Sequence, residues 1–351
     1  MPVSKSDQNA PKRILLIRPS ALGDVCRSVP VLVSLKRAYP QAKIDWLVND
    51  SFVDAISAHP DLHAVVPFPR RRFARWWRSP VVAGELIRYF SALRAERYDL
   101  VLDCQGLGRS GLLAWMTRAS RRIGDRHARE GGWLGTNHRI DTSMHPHDVD
   151  RMLALLEACD VPVVKDMQLH VPESDRDAWA ARDEFSGARY AVLAPTSRWS
   201  SKAWPVDRWS ALAAALLERG CDHVFVVGAP DEREVTNAVC TGVGDSRVHD
   251  FAGSTTIGGL LAIIERASLT VSNDSAALHM AVGFGGRCVG LYGPTDPGKV
   301  GPYELDACVV RAPLDRAVSY RDQSLGDSIM RGIPLEAVLE RADAVLAGVP
   351  A

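Results

Sequence analysis

The sequence predicts an α/β protein made of two doubly wound parallel sheets, and three observations carry that expectation. Its 351 residues exceed what a single hydrophobic core usually serves, so two domains are expected. Short apolar runs alternate with stretches of helical period, the pattern of strands joined by crossover helices. The alternation comes in two series, broken near "LHVPESDRDAWAAR" at 169–182, where Pro172 and a cluster of polar residues separate a strand from a new helix. The expected organisation is a disordered tail over 1–11, an N-terminal domain over 12–174, a C-terminal domain over 175–330 and a final helix over 331–351.

In the first series "RILLI" (13–17) is a strand leading to a helix over 25–38, "KIDWLV" (43–48) leads to a helix over 51–58, and "YDLVLDC" (98–104) to one over 109–118. In the second, "YAVLAP" (190–195) leads to a helix over 206–219, "HVFVVG" (223–228) to one over 231–240 and "LTVSN" (269–273) to one over 275–284, and "RCVGLYG" (287–293) follows as a strand. Such apolar runs suit strands covered on both sheet faces by helices. Two domains of this kind facing each other make a cleft, and in open α/β sheets ligands bind beyond the carboxyl ends of the strands. Residues just after each strand are therefore the first candidates for function.

Apolar residues at 46% and charged residues at 24% are ordinary for a globular chain and exclude a disordered or collagen-like one. The formal net charge is zero, so bulk charge points to no polyanionic partner and no nucleic acid. Locally the balance is uneven: Arg70 to Glu130 carries fourteen arginines against six acidic residues, including "RRRFARWWR" at 70–78. This is either a solvated basic face or a surface for a phosphorylated or membrane-associated anion, and Trp76 and Trp77 suit an interface as well as a core. The seven cysteines lack CxxC or metal spacing, which disfavours a disulfide framework or a zinc site and favours a reducing compartment. "MPVSKSDQNAPKR" has no signal-peptide core and no run is long enough to span a membrane, so a cytoplasmic location is expected.

Several strand ends carry chemistry, each beside a structural alternative. Asp24 follows "RILLI" and a loop with Pro19 and Gly23; it reads either as a helix N-cap or as a general base taking a proton from an attacking hydroxyl. "GLGRSG" (106–111) matches a dinucleotide fingerprint but is not on the first strand of its domain and lacks the acid about 20 residues on, so Arg109 is read instead as an anion contact. In "VSNDSAALHMAVG" (271–283) a strand stops at Asn273 and a helix of small residues starts at Ser275, offering the N–H groups of Ser275 and Ala276 to a phosphate. Asp274 there is equally a cap, and His279 an ordinary half-buried histidine. "TSRWSSKAWP" (196–205) supplies Thr196, Ser197 and Lys202 for a diphosphate, and "GAPDERE" (228–234) supplies Asp231 and Glu232 for ribose hydroxyls. The coincidence of these strand ends in one half suits a nucleotide.

With "SALGD" near the start, "NDSAALHMA" and "GLYGPTDPGKVGPY" (290–303), the chain from about Lys12 resembles the bacterial ADP-heptose:lipopolysaccharide heptosyltransferases of glycosyltransferase family 9. "HPDLHAVVPFPRRRFARWWRSP" and "YDLVLDCQGLGRSG" resemble the heptosyltransferase I group in particular. The resemblance implies a GT-B fold with an acceptor domain first and an ADP-sugar domain second, and inverting transfer of heptose from ADP-heptose to the Kdo of a Kdo–lipid A acceptor. No metal or other cofactor is implied, and the enzyme is expected in the cytoplasm, peripheral on the inner face of the inner membrane. Carried over, Asp24 is the base, Lys202 and Ser197 meet the diphosphate with Thr196 in the same loop, Glu232 meets the ribose, and Asp274, Ser275, Ala276 and His279 form the donor loop. Arg71, Arg72, Arg109 and Arg129 fall in acceptor-contacting regions. Arg27 and Ser28 stand where the family often has His and Thr, Arg109 where Lys is familiar, and "NDSAAL" where "VDTGL" is usual. A nucleotide-sugar epimerase of similar architecture and a non-catalytic anion-binding protein are the rival readings.

Overall fold

The computed structural model describes residues 10–314, 318–319 and 326–348. The expected tail lies outside them up to residue 9, and Pro11 is already buried. The chain divides into two units, Met1–Met167 and Gln168–Ala351. The division falls seven residues before the expected boundary. The N–H of Leu169 donates to the carbonyl of Gly283 at 2.9 Å, which ties the "LHVP" segment to the second unit.

The first unit holds a six-stranded parallel sheet of β1 (Arg13–Ile17), β2 (Lys43–Asn49), β3 (Ala64–Phe68), β4 (Leu100–Asp103), β5 (Arg121–Asp125) and β6 (His138–Ile140), in the order β3-β2-β1-β4-β5-β6. The second holds β7 (Tyr190–Ala194), β8 (His223–Val226), β9 (Val248–Asp250), β10 (Leu269–Asn273), β11 (Cys288–Tyr292) and β12 (Val309–Arg311), in the order β12-β11-β10-β7-β8-β9 and again all parallel. The two orders are the same pattern: each unit's first strand lies beside its fourth. At that pair successive connections leave in opposite directions, which opens a crevice beyond the carboxyl ends.

The central strands are continuous apolar runs because helices cover both their faces. Ile14 to Ile17 and Ala191 to Leu193 are essentially inaccessible to solvent. Pro67 is tolerated in β3 because β3 is an edge strand and needs no donor on its outer side. The single helix expected over 25–38 is two, Leu22–Arg27 and Val29–Ala38, because Pro30 has no N–H to continue the ladder and instead sits in the first turn of the second helix. The helix expected over 51–58 is a 3₁₀ helix over Asp50–Ala55, and the one expected over 231–240 begins as a 3₁₀ turn, Pro230–Glu232, followed by an α-helix over Arg233–Val243. The final helix is Leu335–Leu346, and it buries Val338 and Ala342 in the core of the second sheet.

Candidate active site: one charged cluster in each unit

Beyond β1 the chain turns through Arg18 into the helix Leu22–Arg27, and that turn delivers Asp24. Asp24 is the third residue of the helix, not its cap: Ala21 occupies the cap position, and the Asp24 carboxylate reaches back to accept the Ala21 N–H at 3.1 Å. The N-cap alternative is thereby corrected to half of a capping box, with the remaining lone pairs used elsewhere. Arg18 meets Asp24 Oδ2 at 2.9 Å, and Arg27, one turn on, donates to Oδ1. Arg18 also donates to the carbonyl of Cys104 at the end of β4, and Arg27 lies 3.8 Å from Asp148. Burial opposes the charge on Asp24, but the Arg18 and then the Arg27 guanidinium outweigh it and hold the carboxyl well below the usual carboxylate range. Its side chain keeps 24% of its surface exposed, so a ligand has access to it.

The neighbouring strand end carries a residue that the sequence reading passed over. Asp103 closes β4 and is 2% exposed. It accepts the N–H groups of Gln105 and Gly106 at 3.0 and 3.1 Å and the Ser110 hydroxyl at 2.9 Å. Burial pushes its pKa up to about 6 against those bonds. The readable signal was an acid ending an otherwise apolar strand. Gln105 completes the junction by accepting the Ser20 N–H at 3.1 Å, so the loops after β1 and β4 are fastened together.

The glycines of "GLGRSG" serve packing. A Cβ on Gly111 would stand 2.1 Å from the carbonyl oxygen of Gly132, and one on Gly135 would stand 1.8 Å from that of Gly111. The helix Gly108–Met116 therefore lies directly against the 3₁₀ segment Arg129–Gly135. This brings the loops of Arg109 and Arg129 together, the Arg129 N–H donating to the Gly106 carbonyl at 2.9 Å, with both side chains exposed. Arg71 and Arg72 lie farther along the sheet, on the short helix Arg70–Phe73 after the edge strand β3. Arg72 is engaged by Glu85 through Nε and Nη2; Arg71 is exposed.

In the second unit the loops after β7 and β10, the adjacent strands at its own order reversal, meet through Asn273. Its amide donates to the Pro195 carbonyl at 2.7 Å and accepts the Trp204 N–H at 3.1 Å, which clamps both ends of the loop holding Thr196, Ser197 and Lys202. Lys202 Nζ then reaches Asp274 Oδ2 at 2.6 Å, both side chains being about one-tenth exposed. Ser275 caps the helix Ala276–Gly283, its hydroxyl 2.8 Å from that of Ser272. The expected helix start at Ser275 thus becomes a cap, and Ala276 is the first helical residue. His279 is buried in that helix, with 4% of its surface exposed. Glu232 stands after β8, where its carboxylate accepts the Ala229 N–H at 2.7 Å and is half-buried. Lys202, Asp274 and Ser275 are thus brought together, with Thr196 and Ser197 in the clamped loop, while Glu232 sits on the next strand over, held by its own turn.

Among the described residues no three His, Cys, Asp or Glu side chains group as metal ligands, and no helix is long and apolar enough to cross a membrane.

A family model described as glycosyltransferase family 9 (heptosyltransferase) matches residues 86–328. Lipopolysaccharide heptosyltransferase 1 of Escherichia coli K12 is 28% identical over 326 residues, covering 89% of this chain and 98% of the relative. Lipopolysaccharide heptosyltransferase 1 of Pseudomonas aeruginosa PAO1 is 30% identical over 302 residues, covering 83% and 81%. The solved structure of the E. coli heptosyltransferase WaaC with ADP superposes with a TM-score of 0.78 at 25% identity, covering 95% of this chain and 99% of that one. A family 9 glycosyltransferase from Veillonella parvula superposes at 0.81 with 21% identity, covering 96% and 98%.

Proposed function

Because the chain belongs to glycosyltransferase family 9, the heptosyltransferases, we propose that it moves heptose from ADP-heptose to the Kdo of a Kdo–lipid A acceptor of the lipopolysaccharide inner core, with inversion at the anomeric carbon and Asp24 as general base. The observation that carries the proposal is Asp24 at the carboxyl end of β1, held ionised between Arg18 and Arg27 at the order reversal of its sheet.

The acceptor hydroxyl approaches Asp24 and attacks the anomeric carbon from the face opposite ADP. As that C–O bond forms, the bond from the anomeric carbon to the diphosphate breaks and its electron pair leaves with ADP. A carboxylate held so far below its ordinary pKa is a weak base, so the hydroxyl proton moves to Asp24 only late, when bond formation has made it strongly acidic. The exposed guanidiniums of Arg71, Arg109 and Arg129 in the same unit favour an anionic acceptor over a neutral one.

On the donor side charge grows on the departing diphosphate. Lys202 and the backbone N–H groups at Ser275 and Ala276 stabilise it, with Thr196 and Ser197 as hydroxyl donors, Glu232 on the ribose and His279 backing the donor loop. Asp274 orients the ammonium before the donor arrives and shares it afterwards. In this reading Lys202 and the helix amides supply the positive charge, so transfer proceeds without an added divalent cation. The enzyme acts at the cytoplasmic face of the inner membrane, where such an acceptor is presented.

The test incubates the protein with a panel of ADP- and UDP-sugars and Kdo–lipid A, with and without EDTA, and weighs the product. A gain of one heptosyl unit from ADP-heptose alone is expected, undiminished by EDTA. Isomerised nucleotide sugar in the absence of acceptor would instead identify an epimerase. Binding without turnover would identify a non-catalytic protein.

A further inference from the structure

Among the described residues most of the exposed large apolar side chains fall in one stretch of the chain. Of the eleven large apolar side chains exposed among the described residues, eight fall between Trp76 and Leu134, and the second unit contributes only Val235. Trp77 at 63% and Ile87 at 65% exposure are extreme for their type. They flank a groove between the helices Pro80–Ala95 and Gly108–Met116. One stretch of it, ≈220 Å³, is lined by Phe73, Trp77 and Leu112 with Arg70 and Arg109 at its rim. A second, ≈170 Å³, shares Phe90 with the first and runs on past Ile87 and Met116, with Arg94 and Arg118 at its rim. Phe68 and Phe73, which line the first stretch, pack edge to face on each other and on Tyr89, with centroids 5.5 to 5.7 Å apart.

We infer that this groove docks the protein on an anionic phospholipid bilayer, with Trp76, Trp77 and Ile87 entering the interfacial layer and a lipid acyl chain lying along the groove. The inference deepens, and rests on, the reading that the acceptor is lipid-borne. Three features select this occupant. Trp beside apolar side chains favours a surface that is apolar within and wet at its edge. Arginines at the rim reach headgroup phosphates while their stems cover apolar area; the Arg118 guanidinium already lies 4.1 Å over the Trp115 ring. The segment Arg70–Glu130 has eight more arginines than acids, so a second copy on the same face would be repelled and anionic headgroups attracted. Arg109 lies in the first turn of the helix that follows β4, so the groove starts at the same carboxyl edge of the sheet that carries Asp24. A membrane-seated acceptor headgroup would meet that edge first.

The experiment uses the full chain and vesicles of phosphatidylglycerol and phosphatidylethanolamine containing no saccharide acceptor. The parent is expected to cosediment, and its tryptophan fluorescence to be quenched by lipids brominated in the acyl chain. W77S/I87S should bind about tenfold more weakly or worse, since both side chains lose their apolar burial. W76S/W77S should lose most of the bromine quench, with ADP binding at the parent's affinity reporting an intact fold in both variants. The inference is overturned if the parent stays in solution. It is equally overturned if the variants bind as well as the parent and ~0.5 M salt strips them all alike, or if the face proves to pair two copies by sedimentation. Donor and Kdo are absent, so failure of the heptosyl-transfer reading registers separately, in the product assay.

Discussion

In the N-terminal unit one carboxylate, Asp24, takes two guanidiniums, Arg18 at 2.9 Å and Arg27, whereas in the C-terminal unit one ammonium, Lys202, takes one carboxylate, Asp274, at 2.6 Å. Both clusters stand beyond a unit's first strand, at its order reversal. The sign of the central group is what differs. Two guanidiniums face Asp24, one of them also reaching Asp148, and together they outweigh its burial and hold the acid ionised. The Lys202–Asp274 pair instead holds an ammonium in place across the loops after β7 and β10. Identical topology therefore places an ionised carboxylate at the reversal in one unit and a carboxylate-paired ammonium at the reversal in the other.

The sharpest way to break this comparison is Asp24→Asn. Turnover should fall roughly 100-fold or more while ADP affinity stays at the parent's value, because proton transfer is lost and the donor cluster is untouched. Thermal stability should fall too, since Arg18 and Arg27 lose their shared anion. A variant that turned over normally but melted early would leave Asp24 a purely structural acid and place the base elsewhere.

Asp103 tests the same unit through pH. Its native pKa of about 6 lies above that of an unfolded aspartate, so between about pH 4 and 6 the folded state holds a proton that the unfolded state has released. Its contribution is greatest below that window and fades as pH rises through it, by at most roughly 3 kcal/mol. Asp24 has the opposite sign: its contribution is present above the ordinary carboxylate range and lost as pH falls below about 4. Denaturant unfolding across this range should show a flatter curve between pH 4 and 6 for Asp103→Asn. Superimposable curves for parent and variant would remove Asp103 from the account.

On the donor side, Lys202→Ala should weaken ADP binding by about 1.5 to 3 kcal/mol and adenosine binding much less, measured by calorimetry. Equal losses for both ligands would mean that the clamped loop had collapsed rather than that a phosphate contact was missing. The smallest effect expected is at the acceptor arginines. Arg71→Ser should raise the acceptor KM about threefold to tenfold and leave the donor KM alone. Arg72→Ser should do less, because Glu85 already engages that guanidinium. Added salt should narrow the gap between Arg71→Ser and the parent, since exposed charges are screened over ~8 to 10 Å. A donor KM that moved in step would make the basic stretch a solvated face.

Much of this was legible along the chain. The apolar runs of β1, β2, β4, β7, β8, β10 and β11 announce themselves, as do Gly23–Asp24, Lys202 and the small-residue helix after Asn273, because patterning and turn chemistry act over a few residues. The edge strands β3, β6, β9 and β12, and β5 next to an edge, were not legible: "RRIGD", "HRI", "VHD" and "VVR" are short and partly charged, and β3 contains a proline. They are strands because a neighbour offers them a ladder. The partners of the site residues were likewise decided only in three dimensions. Arg27 and Asp148 are 121 positions apart, Lys202 and Asp274 are 72, and the Asn273 amide clamps the two ends of a loop 78 and 69 positions earlier. Local sequence determined which groups stand at the strand ends. Which charges each one faces, and so whether its own charge is favoured or opposed, depends on packing between distant segments, and pairwise electrostatics in a partly dry site is set by those distances.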